Sequence, residues 1–347
     1  MPFDPAFPPT FNSLNRFKIW ELEGFPNEKV GWAFYDLVSS HALSQAIIVQ
    51  AESLAINPAE QDLHAVYFQR LAAADDAAIA IAQQMGRYFG FMLVALKRGD
   101  ALNRQKNAEK DAAYWDYWSQ VDRVFLGGGL SEGEFGRLLV SSAQAILQQY
   151  ALDVQLSIAA YPRSLGLLGA ARHVSTGEQA LVLDFGSTRV KRGRAFYSDA
   201  GLQQVQVLPS IPAGFDVFVA AGQEQAIFER FVALLVDAYQ PQDADLIPVS
   251  ISAYVTPTGQ PVLTQSGIYM HMSHLSDDLP ALLSETVSQR VGRSVAVKLL
   301  HDGSAAASTY APLDHAVVIT LGTAIGSGYP VMRPGLRPLT SDFTVTN

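Results

Sequence analysis

Three apolar runs in this chain each stop on a glycine-bearing turn. Ala180 to Leu183 leads into Asp184-Phe185-Gly186-Ser187-Thr188, Ala316 to Leu321 into Gly322-Thr323-Ala324-Ile325-Gly326, and Arg123 to Leu126 into Gly127-Gly128-Gly129. A short aliphatic run closed by glycine reads as a buried strand ending in a tight turn. Between these runs the apolar residues recur at helical spacing: Ile81, Met85, Phe89, Met92 and Leu96; Phe135, Leu138, Leu139 and Ile146; Ile227, Phe231, Leu234 and Leu235; Leu282, Leu283, Val287 and Val291. Further strands are expected at Val154–Ile158, at Leu246–Ile251 and at Val295–Leu300, with Ala316–Leu321 as the last, and a short helix is expected within Pro162–His173. Strands interleaved with helices imply an α/β architecture whose sheets are covered by helices. At 347 residues the chain is long enough for two domains of ordinary size.

Composition narrows the class. An apolar share of 49% with only 16% charged residues is that of a chain that folds. The net charge of −9 repels polyanions, so nucleic acid is not expected as a partner. The absence of cysteine excludes disulfides, thiol nucleophiles and thiolate metal sites, and a cytoplasmic setting is the expectation. The opening MPFDPAFPPTFNSLNR carries four prolines and no apolar core, unlike a secretory signal. The fatty stretch Phe89–Leu96 falls well short of the roughly 20 residues of a membrane span, so no membrane partner is expected. The polar stretch from Gly99 to Trp115 has no period and reads as a long surface loop.

Glycine at a strand end lets backbone N–H groups converge with no Cβ in the way, and neighbouring Ser or Thr hydroxyls add donors, which together suit polyphosphate oxygens. Asp184 could position Mg²⁺, which favours a carboxylate combined with phosphate oxygens and water. A fourth segment, Lys298-Leu-Leu-His301-Asp302-Gly-Ser304-Ala-Ala-Ala307, delivers an acid to the end of its own strand. There Asp302 could take the proton of a hydroxyl that attacks a phosphoryl group, or could simply cap the helix that follows.

Taken together, these segments resemble the two phosphate motifs, the catalytic segment and the adenosine motif of the actin, hexokinase and heat-shock ATPase superfamily. Within it the nearest likeness is to the ROK family of sugar kinases. LLHDGSAAAS resembles that family's Asn-Asp-x-Asn-Ala-Ala-Ala stretch, ITLGTAIGSG its second phosphate turn, RVFLGGGLSEGEF its adenosine segment, GLLGAARH its closing helix, and YDLVSSHAL, more faintly, a Glu-x-x-Val-Ser-Gly helix entry. The order differs from the family's, because this chain reaches Asp184 only after the adenosine segment and closing helix. The likeness is that of a circular permutation, with the ancestral ends joined near Ser175–Gln179.

The resemblance implies a two-domain actin-like ATPase (ribonuclease H-like) α/β fold with an interdomain nucleotide cleft. Residues 1–160 with 301–347 would form the larger domain and residues 161–300 the smaller. It implies an ATP- and Mg²⁺-dependent kinase acting on a hydroxyl of a sugar or small polyol, with polyphosphate open as the donor and a homodimer open as the assembly. Asp302 would be the base; Gly186, Ser187, Thr188, Gly322, Thr323 and Gly326 would hold phosphates; Asp184 would help place the metal; Gly127, Gly128 and Gly129 would face the nucleoside. His301 and Ser304 stand where the family has sugar-binding asparagines. The family's sugar-binding Glu has no counterpart near Ser39 beyond Tyr35 and Asp36, and its Gly-Glu-x-Gly-His segment and cysteine zinc cluster are absent. A non-catalytic nucleotide or sugar sensor is therefore the alternative, and a DNA-binding repressor lacks its basic helix-turn-helix extension.

Other residues have plainer readings. Arg189, Lys191, Arg192 and Arg194 read as a solvated hairpin edge, with added positive potential at the cleft as the alternative. His271 and His274 have His-x-x-His spacing but no third ligand candidate. Trp115 and Trp118 are expected in a core or interface.

Overall fold

The structure is a computed structural model that describes residues 3–9, 13–57, 62–214, 222–263 and 268–346. Its strands are β1 (Arg123–Gly127), β2 (Gln155–Ile158), β3 (Gln179–Phe185), β4 (Arg189–Ser198), β5 (Gly201–Pro212), β6 (Leu246–Ile251), β7 (Ala296–His301), β8 (Ala316–Leu321), β9 (Ile325–Gly328) and β10 (Leu339–Thr346). They form one sheet in the order β2-β1-β8-β9 and another in the order β10-β5-β4-β3-β6-β7. The architecture is mixed α/β, and two strands, β9 and β10, follow the one expected to be last.

The chain divides into two compact units. The first comprises Met1–Phe3, Phe11–Arg163 and His315–Ser327; the second comprises Asp4–Thr10, Ser164–Asp314 and Gly328–Asn347. Residues 301–314 and 328–347 thus belong with the second unit rather than the first. The reason is local: β7 extends the parallel sheet beside β6, and β10 pairs with β5 in the same sheet.

In the first unit the longest helix, α1 (Asp76–Arg98), follows its sequence signals. Asp75 caps its start by accepting the Ala77 and Ala78 N–H groups, and Gly99 ends it at φ 54°. Its glycines let it lie almost backbone to backbone against α2 (Gly133–Gln149): a Cβ on Gly86 would sit 2.5 Å from the Leu139 carbonyl oxygen. By length and composition α1 could cross a membrane, but 67% of its most apolar window is buried in the protein.

The polar stretch after α1 is helical, over Ala101–Lys106 and Ala112–Gln120, rather than a loop. Its asparagines serve as tertiary pairing groups. Asn103 accepts the Trp20 N–H at 2.8 Å and donates to the Glu21 carbonyl, while Asn107 donates to the Lys18 carbonyl at 3.0 Å. Buried amides that satisfy an extended segment's backbone look, in sequence, like the amides of a turn.

In the second unit β3 alternates cleanly. Leu181, Leu183 and Phe185 enter the core beneath α4 (Glu224–Ala238) and α5 (Leu279–Val291), and Ala180 and Val182 face α3 (Leu165–Ala171). Asp184 shares the α3 face by this parity. Helix α6 (Asp302–Ser308) packs so closely on α3 that a Cβ on Gly169 would lie 1.5 Å from the Ala305 carbonyl oxygen. The basic run Arg189–Arg194 is not an edge, since β4 is paired on both sides, to β3 and to β5. Trp115 and Trp118 are buried.

Candidate active site

The residues singled out in the sequence fall into two groups, one in each unit. In the second unit the carboxyl ends of β3, β6 and β7 lie in register, with Phe185 opposite Ile251 and Ile251 opposite His301. Open α/β sheets bind ligands at this end of their parallel strands.

Asp184 is buried one residue before the end of β3, and both of its oxygens are engaged. Oδ1 accepts the Ser250 hydroxyl at 2.8 Å, and Oδ2 accepts the Lys191 ammonium at 2.8 Å. Lys191 is the antiparallel register partner of Asp184 across the turn. Gly166 of α3 makes room for the carboxylate, since a Cβ there would fall 2.6 Å from its Cγ. The turn itself is held from below by the Tyr269 hydroxyl, which donates to the Gly186 carbonyl at 2.7 Å, and by the Ala213 N–H, which donates to the Thr188 carbonyl. Ser187 is half-buried and Thr188 exposed, and among the described residues none accepts from their hydroxyls.

Asp302 is the first residue of α6, and the cap is its neighbour: His301 Nδ1 accepts the Ser304 N–H at 3.2 Å. This disposes of the capping role open to Asp302 in the sequence. Asp302 Oδ1 accepts the Gly303 N–H at 2.6 Å and lies 3.3 Å from His301 Nε2, and Oδ2 has no partner among the described residues. Burial, reinforced by the charge of Asp184 and opposed by the Gly303 N–H and Lys191, raises the Asp302 carboxyl to about 7. Its side chain nonetheless keeps 35% of its exposure, so the oxygen can be reached.

His301 is itself stacked on Tyr254, with ring centroids 4.3 Å apart, and burial followed by the charge of Arg333 lowers its pKa to about 3. The ring is neutral, and because Nδ1 accepts, Nε2 carries the proton and donates towards Asp302. Both nitrogens of His301 therefore support the local frame. The Ser304 hydroxyl lies 3.2 Å from the same Nδ1.

In the first unit the turns after β1 and β8 lie side by side, because these strands are parallel neighbours with Gly127 opposite Thr320. Gly128, at φ 87°, is required by crowding: a Cβ would meet the Leu321 carbonyl oxygen at 2.2 Å. Gly129 has open space where a Cβ would stand, and it borders a cavity of about 290 Å³ with Gly133, Phe68, Phe135 and Arg163. Gly322 turns the chain by donating its N–H to the Ala324 carbonyl and accepting the Ser40 N–H at 2.9 Å; Thr323 is exposed, and Gly326 lies within β9.

Sequence reasoning passed over Gly166, Ser250 and the pairing role of Lys191. The last was recoverable, since a tight turn centred on residues 187 and 188 folds position 191 back onto position 184. His271 and His274 lie on a short 3₁₀ turn with ring centroids 6.3 Å apart. Among the described residues no group of three or more metal-ligating side chains gathers. No protein-family model matches the chain, and no curated protein matches it.

Proposed function

We propose that this chain is an ATP- and Mg²⁺-dependent kinase that phosphorylates a hydroxyl of a sugar or small polyol, on a circularly permuted actin-like fold. The observation that carries the reading is Asp302: a strand-end carboxylate released from capping, with one oxygen unpartnered among the described residues and its pKa near 7, close enough to Asp184 to feel its charge. A general base is most effective when its pKa lies near the working pH.

In the proposed reaction Asp302 Oδ2 accepts the proton of the acceptor hydroxyl as that oxygen bonds to the γ-phosphorus. The bond from phosphorus to the bridging oxygen breaks, and ADP leaves with the electron pair. His301 and the Gly303 N–H hold the other carboxylate oxygen and so fix the direction of the free one. Ser187 and Thr188 offer hydroxyl donors to phosphate oxygens from a turn braced by Tyr269.

Asp184 suits a cation. It already accepts the ammonium of Lys191, and a carboxylate so placed is what Mg²⁺ combines with phosphate oxygens and water. The metal would neutralise phosphate charge as it shifts to the leaving group. The exposed loop Ser175–Glu178 is a suitable seam for the ancestral ends.

A nucleotide or sugar sensor is the second reading, favoured by the engagement of both His301 nitrogens, which leaves fewer free donors on the acceptor side. Measuring ADP release with Mg·ATP across hexoses, amino sugars, polyols and their acidic derivatives separates the two. Release stimulated by one class of acceptor is the expected outcome; tight nucleotide binding with no stimulated release selects the sensor.

A further inference from the structure

Within the second unit lies a cavity of about 220 Å³ whose polar wall is cationic. That is the room of about seven waters at roughly 30 Å³ each, enough for a phosphate-sized head and a short carbon chain. Lys298 and Arg333 line it, together with His173, His301 and Ser304; two threonines, Thr256 and Thr258, join a mostly apolar remainder that includes Phe7 and Leu299, and among the described residues the lining holds no acid.

The two cations are poorly compensated. The Lys298 ammonium has one hydrogen-bonding partner among the described residues, Nδ1 of His173 at 3.3 Å. Since that nitrogen accepts, Nε2 of His173 donates to the Ser308 hydroxyl, and the imidazole brings no negative charge. Burial, and then the charges of Lys298, Arg333 and Arg172, push the His173 pKa well below its ordinary value, so the ring stays neutral. The Arg333 guanidinium donates to the Ala6 carbonyl at 2.5 Å and lies over the Phe7 ring. The one acid whose charge reaches it is exposed Asp4, which forms no ion pair with it. Burial lowers Arg333 to about 10, where it is still charged at neutral pH. Two positive groups left without carboxylates beside an apolar wall favour an anion that brings its own carbon skeleton.

We propose that this cavity receives the anionic group, a phosphate ester or carboxylate, of a small hydroxylated molecule. Resting on the kinase reading, that molecule is the phosphoryl acceptor, because His301 lines the cavity and touches Asp302 through Nε2. The acceptor is then an acidic or already phosphorylated polyol rather than a neutral sugar, with the Ser304 hydroxyl available to its hydroxylated part.

The test is calorimetric titration of the full chain with glycerol 3-phosphate, glycerate and glycerol, without nucleotide. At least one of the two anions should bind more than tenfold tighter than glycerol, with an affinity that falls as KCl is raised. Lys298→Met and Arg333→Met should each weaken it about tenfold, the loss of one charge-assisted bond. Lys298 is exposed, so its variant tests the site even if the Arg333 variant does not fold. Equal binding of glycerol and the anions, no binding of any of them at 10 mM, or anion binding indifferent to Lys298→Met overturns the proposal. ADP release judges the kinase reading separately. Anion binding lost in Lys298→Met with no stimulated release upholds the cavity and removes the kinase; release stimulated by neutral sugars with no anion binding does the reverse.

Discussion

The strand ends at Asp184 and Asp302 are two carboxylate sites on one sheet with opposite surroundings. Asp184 is buried and spoken for: an ammonium holds one oxygen, a hydroxyl holds the other, and a glycine on α3 leaves the space it fills. Asp302 is more exposed, and only its Oδ1 is tied, by its own helix's first N–H and a neutral imidazole. Desolvation beside another acid favours a group that takes up a proton near neutrality, as at Asp302. Two acids whose settings divide them in this way suit an electrostatic holder and a proton acceptor.

Neutralising each acid should break the comparison in different ways. Asp302→Asn should lower phosphotransfer by about 10²–10⁴-fold, the usual worth of a general base, with nucleotide affinity unchanged. Asp184→Asn should weaken Mg·nucleotide binding and raise the Mg²⁺ concentration needed for turnover, readings that Asp302→Asn leaves alone. Equal nucleotide defects in both variants, seen by titration with a fluorescent ATP analogue, would erase the distinction.

Gly166→Ala sharpens it sterically. The added methyl falls 2.6 Å from Asp184 Cγ, so the carboxylate must leave Ser250 or Lys191, and overpacking of this kind costs about 1–3 kcal/mol in urea unfolding. Activity should fall with it, while the pH dependence set by Asp302 stays in place.

The smallest effect is on stability. Because folding raises the Asp302 carboxyl from 3.8 to about 7, its protonated form favours the folded state. That contribution is complete below pH 3.8 and is lost as pH rises through about 7. Asp302→Asn, neutral throughout, should therefore melt higher than the wild type at pH 8, with the difference closing as pH falls towards 4. The lowered His173 group acts alike in both chains and cancels from the comparison. A lower melting temperature for the variant at pH 8 would show that the ionised carboxylate stabilises the fold.

The main elements were legible because burial writes itself into spacing. The strand before Asp184, the helix at Leu279–Val291 and the placement of Asp302 at a strand end all follow from apolar runs and their punctuation. What escaped depends on partners distant in sequence. Asn103 and Asn107 read as loop residues because their ligands are the backbone of residues 18–21. Lys191 read as a solvated charge because β5, which begins sixteen residues after β3 ends, covers its strand and turns an expected edge into an interior position. Of His301 a sequence shows the residue type, but not the tautomer or the stacking on Tyr254. The assignment of residues 301–314 to the second unit rests on the packing of α6 against α3, which only Gly169 foreshadows.

The account stands or falls on the proton that Asp302 is asked to take, and the pH dependence of acceptor-stimulated ADP formation measures it. With Mg·ATP and acceptor saturating, the rate should rise about tenfold per pH unit up to an inflection near 7 and then level off, because only the ionised carboxylate can act. Acceptor-stimulated turnover that is flat from pH 5 to 9, or that keeps the same inflection in Asp302→Asn, would contradict it.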